Sequence, residues 1–111
     1  MSPEAFAALG AGLAMVKSRA MMGAVRLAVR DKVFATVGWP QAGWAIVKLS
    51  PRDQAELVAL SDALDPEKGR RGAAGVTLVR LAGLGDAVAR RVLIAAWQSA
   101  MSPQGRLSKA G

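Results

Sequence analysis

Short runs of β-branched and aromatic residues, separated by turns and by one capped helix, most constrain the fold of this 111-residue chain. The runs cover 33–37 and 44–49, and another follows at 76–81. Such runs are typical of strands, whereas the leucine spacing between 50 and 64 is typical of a helix. The segment therefore specifies a small unit in which a sheet is combined with helices.

Length and composition predict one folded domain covering residues 1–111. A chain of this length buries about 65% of its unfolded surface, and an apolar fraction of 52% with 21% charged residues argues against disorder. The absence of cysteine excludes disulfides and favours the reducing cytoplasm. The apolar stretch 5–16 lacks the preceding positive charge of an export signal. No run approaches the roughly 18 apolar residues of a membrane span, so no membrane association is predicted.

The net charge of +7 is unevenly distributed. Residues 1–48 carry +4, residues 49–65 carry −3, and residues 66–111 carry +6. A surface polarised in this way attracts a polyanion to one side, which favours nucleic acid or an acidic protein as partner. The alternative is that the charge only maintains solubility in an arginine-rich proteome.

The N-terminal half predicts a helix followed by three strands. Ser2 is the expected cap of the first helix, with Pro3 at its first position. From residue 24 apolar residues alternate with polar ones, which predicts a strand with one solvent-facing side. A polar turn at 30–32 should pair this strand with 33–37 as an antiparallel hairpin, and 44–49 should complete a meander.

The C-terminal half predicts two helices around a further strand. Ser50 caps a helix whose buried stripe is Leu57, Leu60 and Leu64. The loop 67–75 is expected to include a short edge strand before the strand at 76–81. Asp86 is the expected cap of the last helix, which ends near Met101. The core face of that helix is Val88, Val92, Leu93, Ala96 and Ala100, with Arg90, Arg91, Ile94 and Gln98 opposite. Residues 102–111 are predicted to be a frayed tail.

These elements predict an α+β fold with an antiparallel sheet and the order α-β-β-β-α-β(-β)-α. Together with several short motifs, this order resembles the bacterial MmcQ/YjbR-like family. The motifs are Lys-Val-Phe-Ala-Thr-Val at 32–37, Val-Lys-Leu-Ser-Pro at 47–51, Gly-Arg-Arg-Gly at 69–72, Val-Arg-Leu at 79–81 and Ala-Ala-Trp at 95–97. They span about two-thirds of the chain.

The resemblance implies an α-β(3)-α-β(2)-α fold that is also found in bacterial secretion chaperones. It also implies a proposed role in binding DNA through two wing-like hairpins, and it implies no catalytic residues. The family often has an aromatic residue beside the Gly-Arg-Arg-Gly motif, whereas Ala73, Ala74 and Gly75 follow it here. A stacking contact at that loop is therefore not expected.

The residue inventory also favours a non-enzymatic protein without cofactor or metal, and an enzyme is the third alternative, which a deep pocket lined by convergent polar groups would support. Without histidine and cysteine, the usual general base, the thiol nucleophile and the preferred zinc ligands are absent. Ser18 lies beside Lys17, but neighbouring residues on an exposed chain form a poor activated nucleophile. Asp62, Asp65 and Glu67 lack the spacing of a calcium loop.

Basic residues from two separated parts of the chain are the candidate nucleic-acid contacts. The first hairpin carries three of them on its solvent-facing side and tip. The glycine-flanked loop 69–72 offers two arginines for bidentate hydrogen bonds to phosphate, although a solvated turn without a ligand fits it equally well. The candidates are Arg26, Arg30, Lys32, Lys68, Arg70, Arg71 and Arg80.

The leading hypothesis is a DNA-binding module that contacts mainly phosphates and has little sequence preference. The competing hypothesis is a module that binds a protein or a small ligand through the sheet face and an exposed Ile94. The tryptophans do not decide between them. Trp39 and Trp44 flank a turn and either stack on a partner or complete the core, while Trp97 is expected to be structural.

Overall fold

The computed structural model describes residues 1–102, and an antiparallel sheet of six strands forms the frame of this part of the chain. The strands are β1 Lys17–Met21, β2 Ala24–Val29, β3 Lys32–Val37, β4 Trp44–Lys48, β5 Leu64–Pro66 and β6 Val76–Arg80. Their order across the sheet is β1-β2-β3-β4-β6-β5. The helices are α1 Pro3–Ala11, α2 Pro51–Val58, α3 Arg70–Ala73 and α4 Asp86–Met101, with a 3-10 turn at Leu81–Gly83. The α+β class is confirmed.

The tail predicted over 102–111 lies, apart from its first residue, outside the described residues. None of the helices in the described range has the length and hydrophobicity to cross a lipid bilayer.

Local capping signals explain where two of the helices begin. The Ser2 hydroxyl accepts a hydrogen bond from the backbone N–H of Ala5 at 3.1 Å, and the Ser50 hydroxyl accepts one from Asp53 at 3.1 Å. A proline follows each serine at a position where a missing N–H costs nothing. The cap of α4 differs from the prediction: Gly85 precedes that helix and Asp86 is its first residue.

The predicted meander of three strands is present as β2, β3 and β4. In β2, Leu27 and Val29 are buried while Arg26 is exposed, as the alternation predicts. Arg30 and Asp31 form the two-residue turn to β3 with φ angles of 52° and 63°. This left-handed geometry matches the twist of the two paired strands. One extra residue in β3, Phe34, forms a bulge opposite the step from Leu27 to Ala28.

Three elements differ from the prediction. A strand at Lys17–Met21 was not predicted, and all five of its residues are exposed. Helix α2 ends at Val58, so the predicted stripe is only partly right: Leu60 is 51% exposed, and Leu64 is buried on β5. The short edge strand precedes the loop 67–75, which instead contains α3.

The core lies between one face of the sheet and helices α1 and α4. From the sheet it takes the alternate residues of β2, β4 and β6, and from the helices the large side chains Phe6, Val92 and Leu93. The predicted core face of α4 is confirmed, with Val92, Leu93 and Ala96 buried and the arginines opposite exposed. Full burial of each large apolar side chain contributes about 1.5–3 kcal/mol.

A buried glutamine joins α2 to the segment that carries α3. The side-chain nitrogen of Gln54 donates to the carbonyl oxygens of Gly72 and Val76, at 3.0 and 3.2 Å, and to the Thr77 hydroxyl at 3.0 Å. The Thr77 hydroxyl in turn donates to the carbonyl of Gly75 at 3.0 Å. These buried bonds join α2 to the end of α3 and to the start of β6.

Replacing this glutamine tests how much the network contributes. Gln54→Leu keeps the approximate size of the side chain but removes its three buried hydrogen bonds, so we expect the free energy of unfolding to fall by about 1–3 kcal/mol. Urea unfolding followed by tryptophan fluorescence measures it. Arg52→Ala on the exposed side of α2, which removes only a 3.8 Å surface ion pair with Glu56, is the control. If Gln54→Leu lowers the free energy of unfolding no more than Arg52→Ala does, the Gln54 hydrogen bonds do not stabilise the fold.

Candidate functional site

Strand register assigns each residue of the sheet to one of its two faces. Residues opposite each other in neighbouring strands project from the same face. One continuous row crosses the sheet through Arg19, Arg26, Thr36, Ile46, Leu78 and Asp65. Leu27, next to Arg26 in β2, is buried in the core, so the row lies on the opposite side. We call this side the open face, because the core and helices α1 and α4 of the described chain pack on the other one.

The open face concentrates positive charge. Alternation along the strands adds further residues to it on either side of the row. Its cations are Lys17, Arg19, Arg26, Lys48 and Arg80. All five are exposed, and within residues 1–102 none of them forms an ion pair with a carboxylate. Asp65, on the short edge strand β5, is the acidic member of the row.

A cleft of about 370 Å³ lies on the open face. Arg26, Lys48 and Arg71 line it together with apolar side chains, and its lining within the described chain contains no carboxylate. We call it the cationic cleft. Its apolar residues include Met21, Met22, Val33, Phe34, Trp39 and Ile46.

The cleft has two chemically different ends. Met21 ends β1 and Trp39 follows β3, and antiparallel pairing brings these strand ends to the same side of the sheet. Lys48 ends β4 at the opposite side, where it pairs with Val76, the first residue of β6. The rise of a strand separates the two ends by about 13 Å. Arg26 lies between them, so an aromatic and apolar end faces a cationic end across a central arginine.

Arg71 reaches the cleft from α3. Its Nε atom lies 2.9 Å from Oε1 of Glu67, one turn earlier, and the arginine side chain is 65% exposed. This ion pair lowers the net charge at the cationic end and also fixes the direction of the guanidinium. The two terminal nitrogens are left to offer further hydrogen bonds, because a guanidinium has five N–H donors.

The glycines of the Gly-Arg-Arg-Gly motif allow a backbone conformation that other residues would not. Gly69 has a φ of 82°, which side chains rarely allow, and a Cβ at Gly72 would overlap the carbonyl oxygen of Glu67. The motif therefore forms a tight turn into a short helix. This close approach sets the position of Arg71 relative to the sheet.

The sequence-predicted contacts do not form one patch. Arg26 and Arg71 lie in the cleft, and Arg80 shares the open face but lies outside the cleft. Lys68 and Arg70 are exposed beside or in α3 and do not line it either.

The other two predicted residues lie at the tip of the β2–β3 hairpin, on the helix side. Nη1 of Arg30 donates to the carbonyl of Met101 at 3.2 Å, at the C-terminal end of α4. A cation stabilises this end of the helix dipole. Lys32 pairs with Val29, which is buried in the core. The hairpin therefore divides its cations between the two faces.

Several residues of the site were not predicted. Four of them lie in β1 or directly after it: Lys17, Arg19, Met21 and Met22. All residues of β1 are exposed, so the strand shows no alternation of apolar and polar residues. Lys48 had a signal, since it is the one charged residue in an otherwise apolar central strand.

The tryptophans fall into two groups. Trp39 is 55% exposed and lines the cleft. Trp97 is half-buried beside the core, and its Nε1–H donates to the carbonyl of Ala14 at 3.0 Å, which confirms its structural role. Trp44 is half-buried at the start of β4.

The other candidate groups stay dispersed. Ser18 and Lys17 are successive residues of one strand and project to opposite faces. Within residues 1–102, no three His, Cys, Asp or Glu side chains come together as a metal-binding group. Ile94 is 42% exposed in a shallow depression between α2 and α4, beside Asp53, Glu56 and Arg91.

Comparison of the chain with models of protein families finds no match, and comparison with curated proteins finds none either.

The close packing at Gly72 predicts a strong response to one added methyl group. Gly72→Ala should lower the free energy of unfolding by about 1–3 kcal/mol, because α3 must move away from the Glu67 carbonyl. Gly12→Ala is the matched control: its φ is −78° and its Cβ would meet only ordinary contacts, so it should be neutral within about 0.5 kcal/mol. Equal thermal stability of the two variants would refute the packing argument.

Proposed function

We propose that the protein is a non-enzymatic nucleic-acid-binding module that contacts phosphates through the open face. The observation that carries the proposal is the convergence of Arg26, Lys48 and Arg71 on one cleft whose described lining is free of carboxylates. Arginine offers paired N–H donors that match two phosphate oxygens, and lysine adds a point charge. These three residues come from different elements and meet because of the sheet order.

The chemistry of the cleft favours backbone contact over the reading of base edges. Specific recognition relies on polar side chains such as asparagine, glutamine or glutamate placed against base edges. Among the described residues, the lining of the cleft contains no asparagine, glutamine or glutamate, and its uncharged polar residue is Thr36. The net charge of +7 strengthens attraction at long range and raises the association rate at low salt. The proposal therefore predicts binding with weak sequence preference.

We also propose that the chain shares the MmcQ/YjbR-like fold. Its element order supports this: with β1 counted as an additional strand and α3 as part of a loop, the order is α-β(3)-α-β(2)-α. The β1–β2 hairpin, with β1 exposed along its whole length, suits the wing that the resemblance implies. The absence of cysteine supports a cytoplasmic location.

A second candidate is a protein-binding module, which the depression around Ile94 favours. An exposed isoleucine between Arg91 and the carboxylates of Asp53 and Glu56 offers a small apolar contact with a charged rim. This surface lies on α2 and α4, away from the cationic cleft. Variants of the two surfaces therefore separate the two functions.

Salt dependence provides the direct test. About five phosphate contacts, from the cations of the cleft and of β1, predict that log K falls with log salt at a slope between about −3.5 and −4.5. Anisotropy of a fluorescein-labelled oligonucleotide, titrated at several salt concentrations, measures this slope. Binding that is independent of salt, or absent at low salt, would exclude the proposal.

Two charge-matched double variants locate the binding face. Arg26→Gln with Lys48→Gln removes two cations from the cleft, and we expect the salt slope to become shallower by about 1.5–2 because two phosphate contacts are lost. Arg30→Gln with Lys32→Gln removes the same charge from the helix side of the hairpin and should leave the slope unchanged. If both pairs weaken binding equally, net charge rather than the open face is responsible.

A further inference from the structure

The cationic cleft contains exposed apolar groups that a phosphate contact does not use. Met22 is fully exposed, Trp39 is 55% exposed and Met21 is 38% exposed, and all three line the same end of the cleft. Scattered apolar residues are common on protein surfaces, but a cluster inside a concave site indicates a ligand with an apolar part.

We propose that the preferred ligand of the open face is single-stranded nucleic acid, with a base stacked on Trp39 and the backbone held by Arg26, Lys48 and Arg71. This inference rests on the proposed function and names the form of nucleic acid that it requires. A single strand presents unpaired base faces and phosphates together. Proteins that bind single strands combine aromatic stacking surfaces with a positively charged groove.

The layout of the cleft matches this combination. The aromatic end and the cationic end are about 13 Å apart along the strands, with Arg26 between them. When a base stacks on Trp39, the nucleic-acid backbone next to it can run along the cleft toward Lys48 and Arg71. The methionines beside Trp39 are flexible and polarizable, and they adapt to bases of different size. The site thus accepts different sequences.

A duplex uses this surface poorly. Its bases are stacked inside the helix, so an indole reaches a base face only after a base step is unstacked, at a cost of a few kcal/mol. Phosphates of a duplex can approach the cations, but Trp39, Met21 and Met22 then remain in water. The exposed apolar end therefore contributes to affinity for single strands alone.

A second copy of the chain is a poor occupant. Self-association through this face would bring Arg26 and Lys48 of each copy against those of the other, and like charges in an interface are destabilising. The net charge of +7 opposes such pairing at longer range as well. Charge complementarity selects an anionic partner, and the apolar end selects one with exposed flat groups.

The test compares three fluorescein-labelled ligands of equal length, about 12 units each, at low salt. They are an oligothymidylate, the same strand without its bases, and a duplex. We expect the oligothymidylate to bind at least about tenfold more tightly than the base-free strand. Trp39→Leu should weaken binding of the oligothymidylate by a similar factor and should change binding of the other two ligands by less than about twofold.

Combining the Trp39→Leu variant with the base-free strand gives the most specific test of stacking. Once the bases are removed, Trp39→Leu should have no further effect, because the variant and the base-free ligand remove the same contact. Ile94→Ala, an exposed apolar residue on α4, is the control and should leave all three affinities unchanged. Thermal unfolding checks that Trp39→Leu remains folded, as the exposure of this side chain predicts.

Each other outcome has a distinct meaning. Equal affinity for single strand and duplex, with the expected salt slope, would overturn the single-strand inference and leave the proposed function standing. Failure of all three ligands to bind at low salt would overturn both. Displacement of the oligothymidylate by an acidic peptide of equal charge, with Trp39→Leu unaffected, would overturn the inference in favour of a protein partner.

Discussion

Coverage of one face of the sheet by helices α1 and α4 is the constraint on which the rest of the structure depends. Strands alternate their side chains between two faces, and α1 and α4 bury only the face that carries Leu27, Val47 and Val79. Every neighbour of these residues in the same strands is thereby placed on the open face. A slip of one residue in the register would exchange the two sets. The cleft therefore exists because apolar burial on the other side fixes the register of Arg26, Ile46 and Lys48.

Elements with local signals could be predicted from the sequence. A serine followed by proline marks the starts of α1 and α2, and strict alternation marks β2, because each signal acts within a few residues. The strand β1 has no such signal, since it is an edge strand that pairs only with β2 in the sheet and all five of its residues are exposed. The leucines at 57, 60 and 64 fit helical spacing, but the helix ends at Val58 and Leu64 pairs with β6 instead. Leucine spacing cannot distinguish a longer helix from a helix followed by a strand.

The site was predictable only in part, because its residues come together through topology. Alternation correctly placed Arg26 on the solvent-facing side of β2. Alternation does not hold for Arg30 in the turn after β2. The left-handed conformation of that residue directs its side chain to the C-terminal end of α4. Lys48 and Arg71 meet because β6 lies beside β4 while β5 takes the outer edge. No pattern within a short window encodes that order of strands.

The glycine-flanked arginines illustrate how one motif serves both fold and site. Gly72 packs against the Glu67 carbonyl, and the Glu67 carboxylate holds Arg71, so a single residue fixes both the backbone and the guanidinium. An exposed ion pair of this kind is worth about 0–1 kcal/mol. Since this pair uses the Nε atom, the two terminal nitrogens of Arg71 stay available for the phosphate contact that we propose. Under the proposed function, the ion pair would position Arg71 before binding and so reduce the entropy lost when the ligand arrives.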